Sequence, residues 1–394
     1  MAGATRLMDP ILEGWSGRPL DWVLARAREL VEDASMPTVH RWREQGGRVV
    51  GHFQVYFPEE IAAAAGMLPV KVRGAALEPR QAEARFGSYL CSILKTSLEL
   101  AVTGRLPLDL FVSHPICDAA RNLAAVWGRN LSYPSRILYL PQNAASDYAA
   151  EYLTGEYEAL ARAIEEVAGR RIGDADFARA IAAFNENRRL LRALYRVRRD
   201  EPWRLRVDEC YVLTALGGLV PREEHNAVLA AVLPQIARRT AQRQDRIRVV
   251  FAGGFCEQPP LELLSTIGES CYVVDDDLLV GLRLLREDVV VTGPPLAALA
   301  HAYLLQAAPT PVQHDPRMPK EAALLDMIHR SGAQAAILTA AKMCEPGLDE
   351  QVAWSRALDA AGIPYFVSEF EERMSSFDHL QIQLETFAEN VLFA

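Results

Sequence analysis

The residues with the most distinctive chemistry in this 394-residue chain are its six cysteines. In a reducing compartment, cysteines too few for a disulfide framework point to metal binding or catalysis. Cys91, Cys117 and Cys344 are separated by 26 and 227 residues, which matches neither a C-x-x-C pair nor a ferredoxin-type run. Spacing alone therefore does not separate metal ligands from buried core cysteines, which are common in folded proteins.

Local context favours two of these three cysteines. Cys117 in SHPICDAAR and Cys344 in AKMCEPG each follow a predicted strand and lie close to a proline. Thiolates are soft ligands suited to iron–sulfur clusters, and a nearby helix N-terminus lowers the pKa of a thiol. Cys91 lies near the start of an apolar predicted helix, SYLCSILKTSLELAV, and gains no support from this argument.

The other three cysteines are weaker candidates. Cys271 begins an apolar strand and is expected in the core, and Cys210 lies in a stretch with no partner signal. Cys256, in GGFCEQPP, follows a strand, so its place at the edge of the same cleft stays open.

Familiar sequence motifs for other chemistries are absent. The chain has no G-x-x-x-x-G-K-[ST], G-x-G-x-x-G, H-E-x-x-H or G-x-S-x-G, so it lacks a standard phosphate loop, zinc-protease helix or nucleophile elbow. The acidic run Asp275–Asp277 is expected to be a solvated loop, with a hard-cation site as the alternative.

An arginine-rich predicted helix has two interpretations. The first is a solvated helix face, and the second is a contact to a phosphorylated ligand or a partner subunit. The residues concerned are Arg188, Arg189, Arg192, Arg196, Arg198 and Arg199.

Charge and hydropathy exclude some partners. A net charge of −9 argues against a dedicated nucleic-acid binder, which normally carries a basic face. No run approaches the roughly 18 apolar residues needed to span a bilayer, and the first residues lack the pattern of a signal peptide. We expect a cytoplasmic protein with neither nucleic acid nor membrane as a partner.

The elements that position the cysteines alternate between strand and helix in two parts of the chain. Apolar strands followed by helices of about 10–15 residues indicate βαβ units and a parallel sheet covered on both faces. The prediction is an α/β protein with two doubly wound, flavodoxin-like domains and a mainly helical insertion. The predicted segments are an N-terminal helical region at 1–46, α/β domains at 47–145 and 243–394, and the insertion at 146–242. Ligands in such sheets bind at the carboxyl ends of the strands, where Cys117 and Cys344 lie.

Several sequence strings, in order from about residue 48 to the C-terminus, resemble the 2-hydroxyacyl-CoA dehydratase and benzoyl-CoA reductase family. They are QVYFPEEIAAAAGMLPVKVRGA, FGSYLCSILKTSLEL, LPLDLFVSHPICDAARNLAAVWG, FAGGFCEQPPLELLSTIGESCYVVDDDLLVGLR and AAKMCEPGLDEQ with GIPYFVSEFE. GGFCEQPPLELL and PICDAARNLAAVW look more like the reductases than the dehydratases. The chain length is similar to that of the smaller cluster-carrying (C or gamma) subunit of the ATP-dependent reductase.

The resemblance implies a cofactor, partners and a reaction. It places a 4Fe-4S cluster on Cys91, Cys117 and Cys344, each in its matching motif. The implied partners are a larger cluster-carrying subunit, two ATPase subunits, reduced ferredoxin and an aromatic coenzyme A thioester. ATP hydrolysis on the other subunits would drive electrons to benzoyl-CoA and yield a cyclohexadiene carbonyl-CoA thioester.

Ring reduction also needs a proton source. His114, three residues before Cys117, is the nearest candidate in sequence, with a structural loop histidine as the alternative. Glu257 and Asp118 are weaker candidates, and Asp118 fits better as a first-turn helix acid. Gln383 stands where the resemblance leads us to expect an arginine.

Two further functions remain open at this point. A dehydratase subunit of the same family would recycle one electron instead of consuming it. A non-catalytic subunit would relay electrons through its cluster while its partner binds the substrate.

Overall fold

The computed structural model describes residues 9–53, 57–87, 90–253, 259–309, 315–371, 374 and 376–393. Two four-stranded sheets dominate this part of the chain, and every strand pair in them is parallel. Helices flank the sheets and fill the chain between them. The predicted fold class, α/β with two doubly wound flavodoxin-like sheets, is confirmed.

The first sheet has the strand order β2-β1-β3-β4. Its strands are β1 (Val49–Phe53), β2 (Leu68–Val72), β3 (Leu110–Ser113) and β4 (Ser135–Ile137). The helices that precede or connect them are α1 (Leu20–Glu32), α2 (Pro37–Glu44), α3 (Glu59–Ala64), α4 (Arg80–Glu83), α5 (Ser92–Val102) and α6 (Asp118–Asn130). Strands β1, β2 and β3 are buried along their whole length, as expected for a parallel sheet covered on both faces.

Four helices follow the first sheet in the chain. They are α7 (Ala149–Ala168), α8 (Asp174–Asp200), α9 (Val207–Leu216) and α10 (Arg222–Arg238). The N-terminal helix α1 packs against α9 and α10, and Glu224 on α10 accepts the backbone N–H groups of Ile11 and Leu12. The N-terminal segment therefore joins these helices in one helical layer, although the two are far apart in sequence. The domain limits drawn from the sequence stay predictions.

The second sheet repeats the topology of the first, with the order β6-β5-β7-β8. Its strands are β5 (Ile247–Ala252), β6 (Cys271–Asp276), β7 (Ala335–Ala341) and β8 (Tyr365–Phe370). Its helices are α11 (Leu261–Ser270), α12 (Pro295–Gln306), α13 (Lys320–Ser331), α14 (Glu345–Ala361) and α15 (Asp378–Leu392).

Strand β5 shows how the second sheet separates two hydrophobic cores. Val249 and Phe251 belong to the large core that also holds the first sheet, whereas Val250 and Ala252 belong to a small core. Successive side chains of a strand point to opposite faces. The small core is completed by side chains of β7, α13 and α14, so α13 and α14 cover this face of the sheet.

Candidate functional site

Each of the three predicted cluster ligands lies at the start of a helix. Cys91 immediately precedes α5, Cys117 precedes α6, and Cys344 precedes α14. Unpaired backbone N–H groups at a helix N-terminus carry partial positive charge and favour an anion such as a thiolate. Cys91 lies just before the helix in which the sequence analysis placed it. Each of the three thiols is therefore next to a helix N-terminus.

Cys117 and Cys344 occupy equivalent places in the two sheets. Cys117 follows β3 and Cys344 follows β7, the third strand of each half in chain order. In a sheet of the order 2-1-3-4, the connections leave in opposite directions on the two sides of the first and third strands, which opens a crevice at their carboxyl ends. Both cysteines therefore lie at the position where this fold normally binds its ligand.

The thiols of Cys117 and Cys344 are close enough to influence each other. Burial raises the pKa of Cys117, and the neighbouring Cys344 raises it further. The backbone N–H of Ala120 donates to the Cys117 sulfur at 3.3 Å and lowers the pKa, but burial outweighs it. A bound cation or cationic cluster would offset this cost, because a coordinating metal deprotonates a thiol.

Close backbone packing holds Cys344 beside the exit of β5. Gly253 has φ +106°, and a Cβ there would clash with the carbonyl oxygen of Thr339, so only glycine fits. A Cβ on Gly347 would lie 3.4 Å from the Cys344 sulfur and 3.7 Å from the Gly253 carbonyl oxygen. Met343, next to Cys344, adopts φ +61°, an uncommon conformation for a residue other than glycine and one often found at functional sites.

Cys91 is related to Cys117 through the packing of the two helices that follow them. Helix α5 packs against α6, the helix that Cys117 begins. Cys91 and Cys344 are both buried, and Cys117 is half-buried. Cys256 and Glu257 lie outside the described residues.

The three sulfur donors are of the chemical type that iron–sulfur clusters use. In the ranges that the structure describes, no three His, Cys, Asp or Glu side chains converge closely enough to hold one metal ion. A multi-iron cluster binds each cysteine to a different iron, so its ligands stand further apart and approach from different elements. Soft, buried sulfur donors at three helix N-termini suit that requirement.

The proposed proton donor His114 is buried directly after β3. Its Nδ1 lies 3.3 Å from the carbonyl oxygen of Leu138. Burial lowers the pKa of His114 to about 3, with a further contribution from His52. The ring is therefore neutral near pH 7, and a neutral imidazole is a poor acid. The proton-donor role of His114 stays a prediction.

Asp118, a weaker candidate for a proton donor, and Gln383, which stands where an arginine was expected, both lie on the surface. Asp118 is exposed in the first turn of α6, where its carboxylate lies 3.8 Å from Arg121. That placement agrees with a first-turn helix acid. Gln383 is exposed on α15.

The acidic run does not form the solvated loop expected from sequence. Asp275 and Asp276 belong to β6, and Asp276 is only 3% exposed. Its carboxylate pairs with Arg198 of α8 at 2.5 Å and with Arg283 at 2.9 Å. Arg198 is itself buried, so the expected solvated arginine face is also wrong at this position. Both charges are buried because α8 packs across β6.

A second buried ionic network was missed by sequence reasoning. Glu59 at the start of α3 accepts from His52 of β1 at 2.8 Å and pairs with Arg222 of α10. Burial acts to raise the pKa of Glu59, but Arg222 and His52 outweigh it and the pKa is lowered. Arg222 also donates to Asn187 of α8 at 3.1 Å. The signal available in sequence was the polar His52 inside the apolar strand VVGHF.

Comparison with known proteins gives a consistent family match. Residues 54–391 match the family model described as 2-hydroxyglutaryl-CoA dehydratase, D-component. The C subunit of benzoyl-CoA reductase from Thauera aromatica is 33% identical over 379 residues, which cover 94% of this chain and 98% of the relative.

Dehydratase subunits are also similar to this chain. The beta subunit of lactoyl-CoA dehydratase from Anaerotignum propionicum is 28% identical over 88% of this chain and 92% of its own length. The beta subunit of (R)-2-hydroxyglutaryl-CoA dehydratase from Acidaminococcus fermentans is 23% identical, covering 89% of this chain and 94% of its own length. The match is therefore nearly full-length on both sides and includes two reaction types.

Proposed function

Because the chain belongs to the 2-hydroxyglutaryl-CoA dehydratase D-component family, we propose that it is the smaller cluster-carrying subunit of an ATP-dependent reductase of benzoyl-CoA. Its relatives are subunits of reductase and dehydratase complexes, so the chain is one subunit of such an enzyme complex. The reductase reaction is the finer part of the proposal, and it is supported by the 33% identity to a subunit of benzoyl-CoA reductase.

The observation that carries the proposal is the placement of the three cysteines. Cys117 and Cys344 lie at the carboxyl ends of equivalent strands, and Cys91 immediately precedes α5, which packs against the helix that follows Cys117. We propose that these three sulfurs hold a 4Fe-4S cluster. When bound, such a cluster supplies single electrons at low potential.

The chain's own residues would set the conditions for electron transfer. The three sulfurs are buried or half-buried, so little water reaches them. Burial lowers the reduction potential of a cluster, because it disfavours an added negative charge. The helix N-termini and the Ala120 N–H act in the opposite direction, because they stabilise negative charge on the sulfurs. Three protein ligands leave one iron without a cysteine, which permits a further ligand or an approaching substrate.

The partners in this proposal supply what the chain lacks. In this proposal two ATPase subunits hydrolyse ATP. The proposed complex also includes a larger cluster-carrying subunit, reduced ferredoxin donates electrons, and benzoyl-CoA accepts them. In the described part of the chain, no helix is both long and apolar enough to cross a membrane.

A 2-hydroxyacyl-CoA dehydratase is the second candidate, because relatives with that activity cover the same length of chain. The experiment is to assemble the complex anaerobically and to follow ferredoxin oxidation against product. A reductase consumes electrons in proportion to the dearomatised product, and a dehydratase needs only a catalytic amount. Turnover of a 2-hydroxyacyl-CoA without net ferredoxin oxidation would contradict the reductase proposal.

A further inference from the structure

A large cavity lies beside the second sheet, between α8 on one side and α13 and α14 on the other. Its volume is about 360 Å³, within the range of small-molecule sites. Ala252 and Asp276, the last residues of β5 and β6, form part of its floor. We call it the arginine cavity.

More cationic than acidic side chains line the arginine cavity. Among its lining residues, eight carry a cationic side chain and five carry a carboxyl group, whereas the whole chain has a net charge of −9. Asp276 is engaged by Arg198 and Arg283, and Glu350 by Lys320 at 2.8 Å. Six of the eight cationic side chains have a carboxylate within 4 Å, some of them from residues outside the cavity wall: Arg188, Arg192, Arg199, Arg283, Lys320 and Arg330.

Two arginines of the wall have no carboxylate within 4 Å among the described residues. They are Arg196, exposed on α8, and Arg286, half-buried in the loop before α12. Burial lowers the pKa of Arg286, and repulsion from Arg330, which also lines the cavity, lowers it further, while Asp326 and Asp275 act in the opposite direction. An anion between these guanidinium groups would remove that repulsion, and arginine binds phosphate through paired hydrogen bonds.

The cavity also offers a surface for an aromatic or apolar group. Trp354 of α14 lines it and is only 7% exposed, and its indole N–H has no acceptor in the described part of the chain. Buried indole N–H groups normally find a partner. On the opposite wall, Tyr195 is held between Arg198 and Arg283, whose guanidinium carbons lie 4.4 and 3.9 Å from the ring centre.

The arginine cavity and the cysteine site share helix α14. Glu350 and Trp354, both in the cavity wall, follow Cys344 by six and ten residues. A rise of 1.5 Å per residue places them about 9 and about 15 Å along the helix from Cys344. A long ligand held in the cavity by its phosphates has the length to extend toward the cysteines.

We propose that the arginine cavity binds the nucleoside diphosphate group of a ligand, either the adenosine diphosphate end of a coenzyme A thioester or a free adenine nucleotide. Arg286 and Arg196 bind the phosphates, and Trp354 contacts the organic part. Only the choice of coenzyme A as the source rests on the proposed function. Arg196 belongs to the arginine-rich helix α8, for which a contact to a phosphorylated ligand was one of the two interpretations of the sequence.

The test is calorimetric titration of the full-length chain, purified anaerobically without ATPase partners, with coenzyme A, ADP and inorganic diphosphate. Arg286→Gln should weaken binding of coenzyme A or ADP by about tenfold to a hundredfold, since a hydrogen bond to a charged group contributes about 1.5–3 kcal/mol. Arg356→Gln is the matched control, because Arg356 is exposed on α14 and does not line the cavity. Arg196→Gln, at an exposed position, should weaken binding without affecting folding.

The outcomes separate the two sources. Tighter binding of coenzyme A than of ADP identifies the thioester as the occupant, and equal or tighter binding of ADP identifies a free nucleotide. No binding of either, or equal affinities in the Arg286, Arg196 and Arg356 variants, overturns the proposal. Iron measured on the same samples keeps the two proposals apart, because iron without nucleotide binding overturns this one alone.

Discussion

A cysteine before a helix and a cysteine inside a strand differ in what surrounds the sulfur. Cys344 is 5% exposed and Cys271 is 1% exposed, so burial does not distinguish them. Cys344 lies at a helix N-terminus beside Cys117, whereas Cys271 begins β6, where burial raises the pKa of its thiol to about 12. A sulfur held as a protonated thiol in an apolar setting is a poor metal ligand.

This difference predicts a matched pair of variants. Anaerobically purified chain should contain about four irons if the cluster is 4Fe-4S. Cys344→Ala should lose most of that iron, because one of three ligands is removed, while Cys271→Ala should keep it. Iron analysis and visible absorption of both proteins provide the measurement, and full iron retention in Cys344→Ala contradicts the ligand assignment.

Gly253 and Gly362 both have a positive φ, but their surroundings differ. Gly253 lies directly after β5 with φ +106°, with the Thr339 carbonyl occupying the space of a side chain. Gly362, at the end of α14, also has a positive φ, +65°, but nothing lies within 4 Å of its Cβ position. Both glycines thus adopt a positive φ that other residues rarely adopt. Only at Gly253 would a side chain also contact a neighbouring strand.

Gly253→Ala should therefore destabilise the protein much more than Gly362→Ala. We expect a loss of about 3 kcal/mol in the free energy of unfolding for Gly253→Ala and about 1 kcal/mol for Gly362→Ala. Urea unfolding of both variants, followed by circular dichroism, measures the difference. Equal losses would mean that the Thr339 contact relaxes without cost.

Buried ion pairs join the helical layer to both sheets. Glu59 and Arg222 link α3 of the first half to α10, and Asp276 and Arg198 link β6 of the second half to α8. Each charge is nearly inaccessible to water. Removing one partner would therefore leave the other charge buried and unpaired in a low-dielectric interior. These contacts connect α3 to α10 and β6 to α8.

Removing one of these charges should therefore cost far more than removing a surface charge. Asp276→Asn leaves Arg198 buried without its carboxylate, and we expect a loss of about 3–5 kcal/mol in the free energy of unfolding. Asp288→Asn is the control, since Asp288 pairs with the partly exposed Arg189 and Arg192, and surface pairs contribute little. The check is the thermal midpoint of each variant, and similar midpoints would show that the Asp276 pair is not required.

Local sequence determined the α/β class, the two parallel sheets and the strand exits of Cys117 and Cys344. Apolar runs between helices specify buried parallel strands, and this information is contained in a few neighbouring residues. The resemblance added Cys91, whose helix alone gave no reason to select it.

Only the tertiary structure decided which charges are buried and which residues face one another. Asp276 and Arg198 look solvated in sequence because their runs are polar, yet α8 packs across β6 and removes both from water. Arg286 and Arg330 meet in one cavity although 44 residues separate them. The three cysteines lie at helix starts in both halves of the chain, and only the packing of the two halves brings Cys117 and Cys344 close enough to influence each other. Burial and long-range charge contacts depend on the packing of distant segments, which local sequence patterns do not encode.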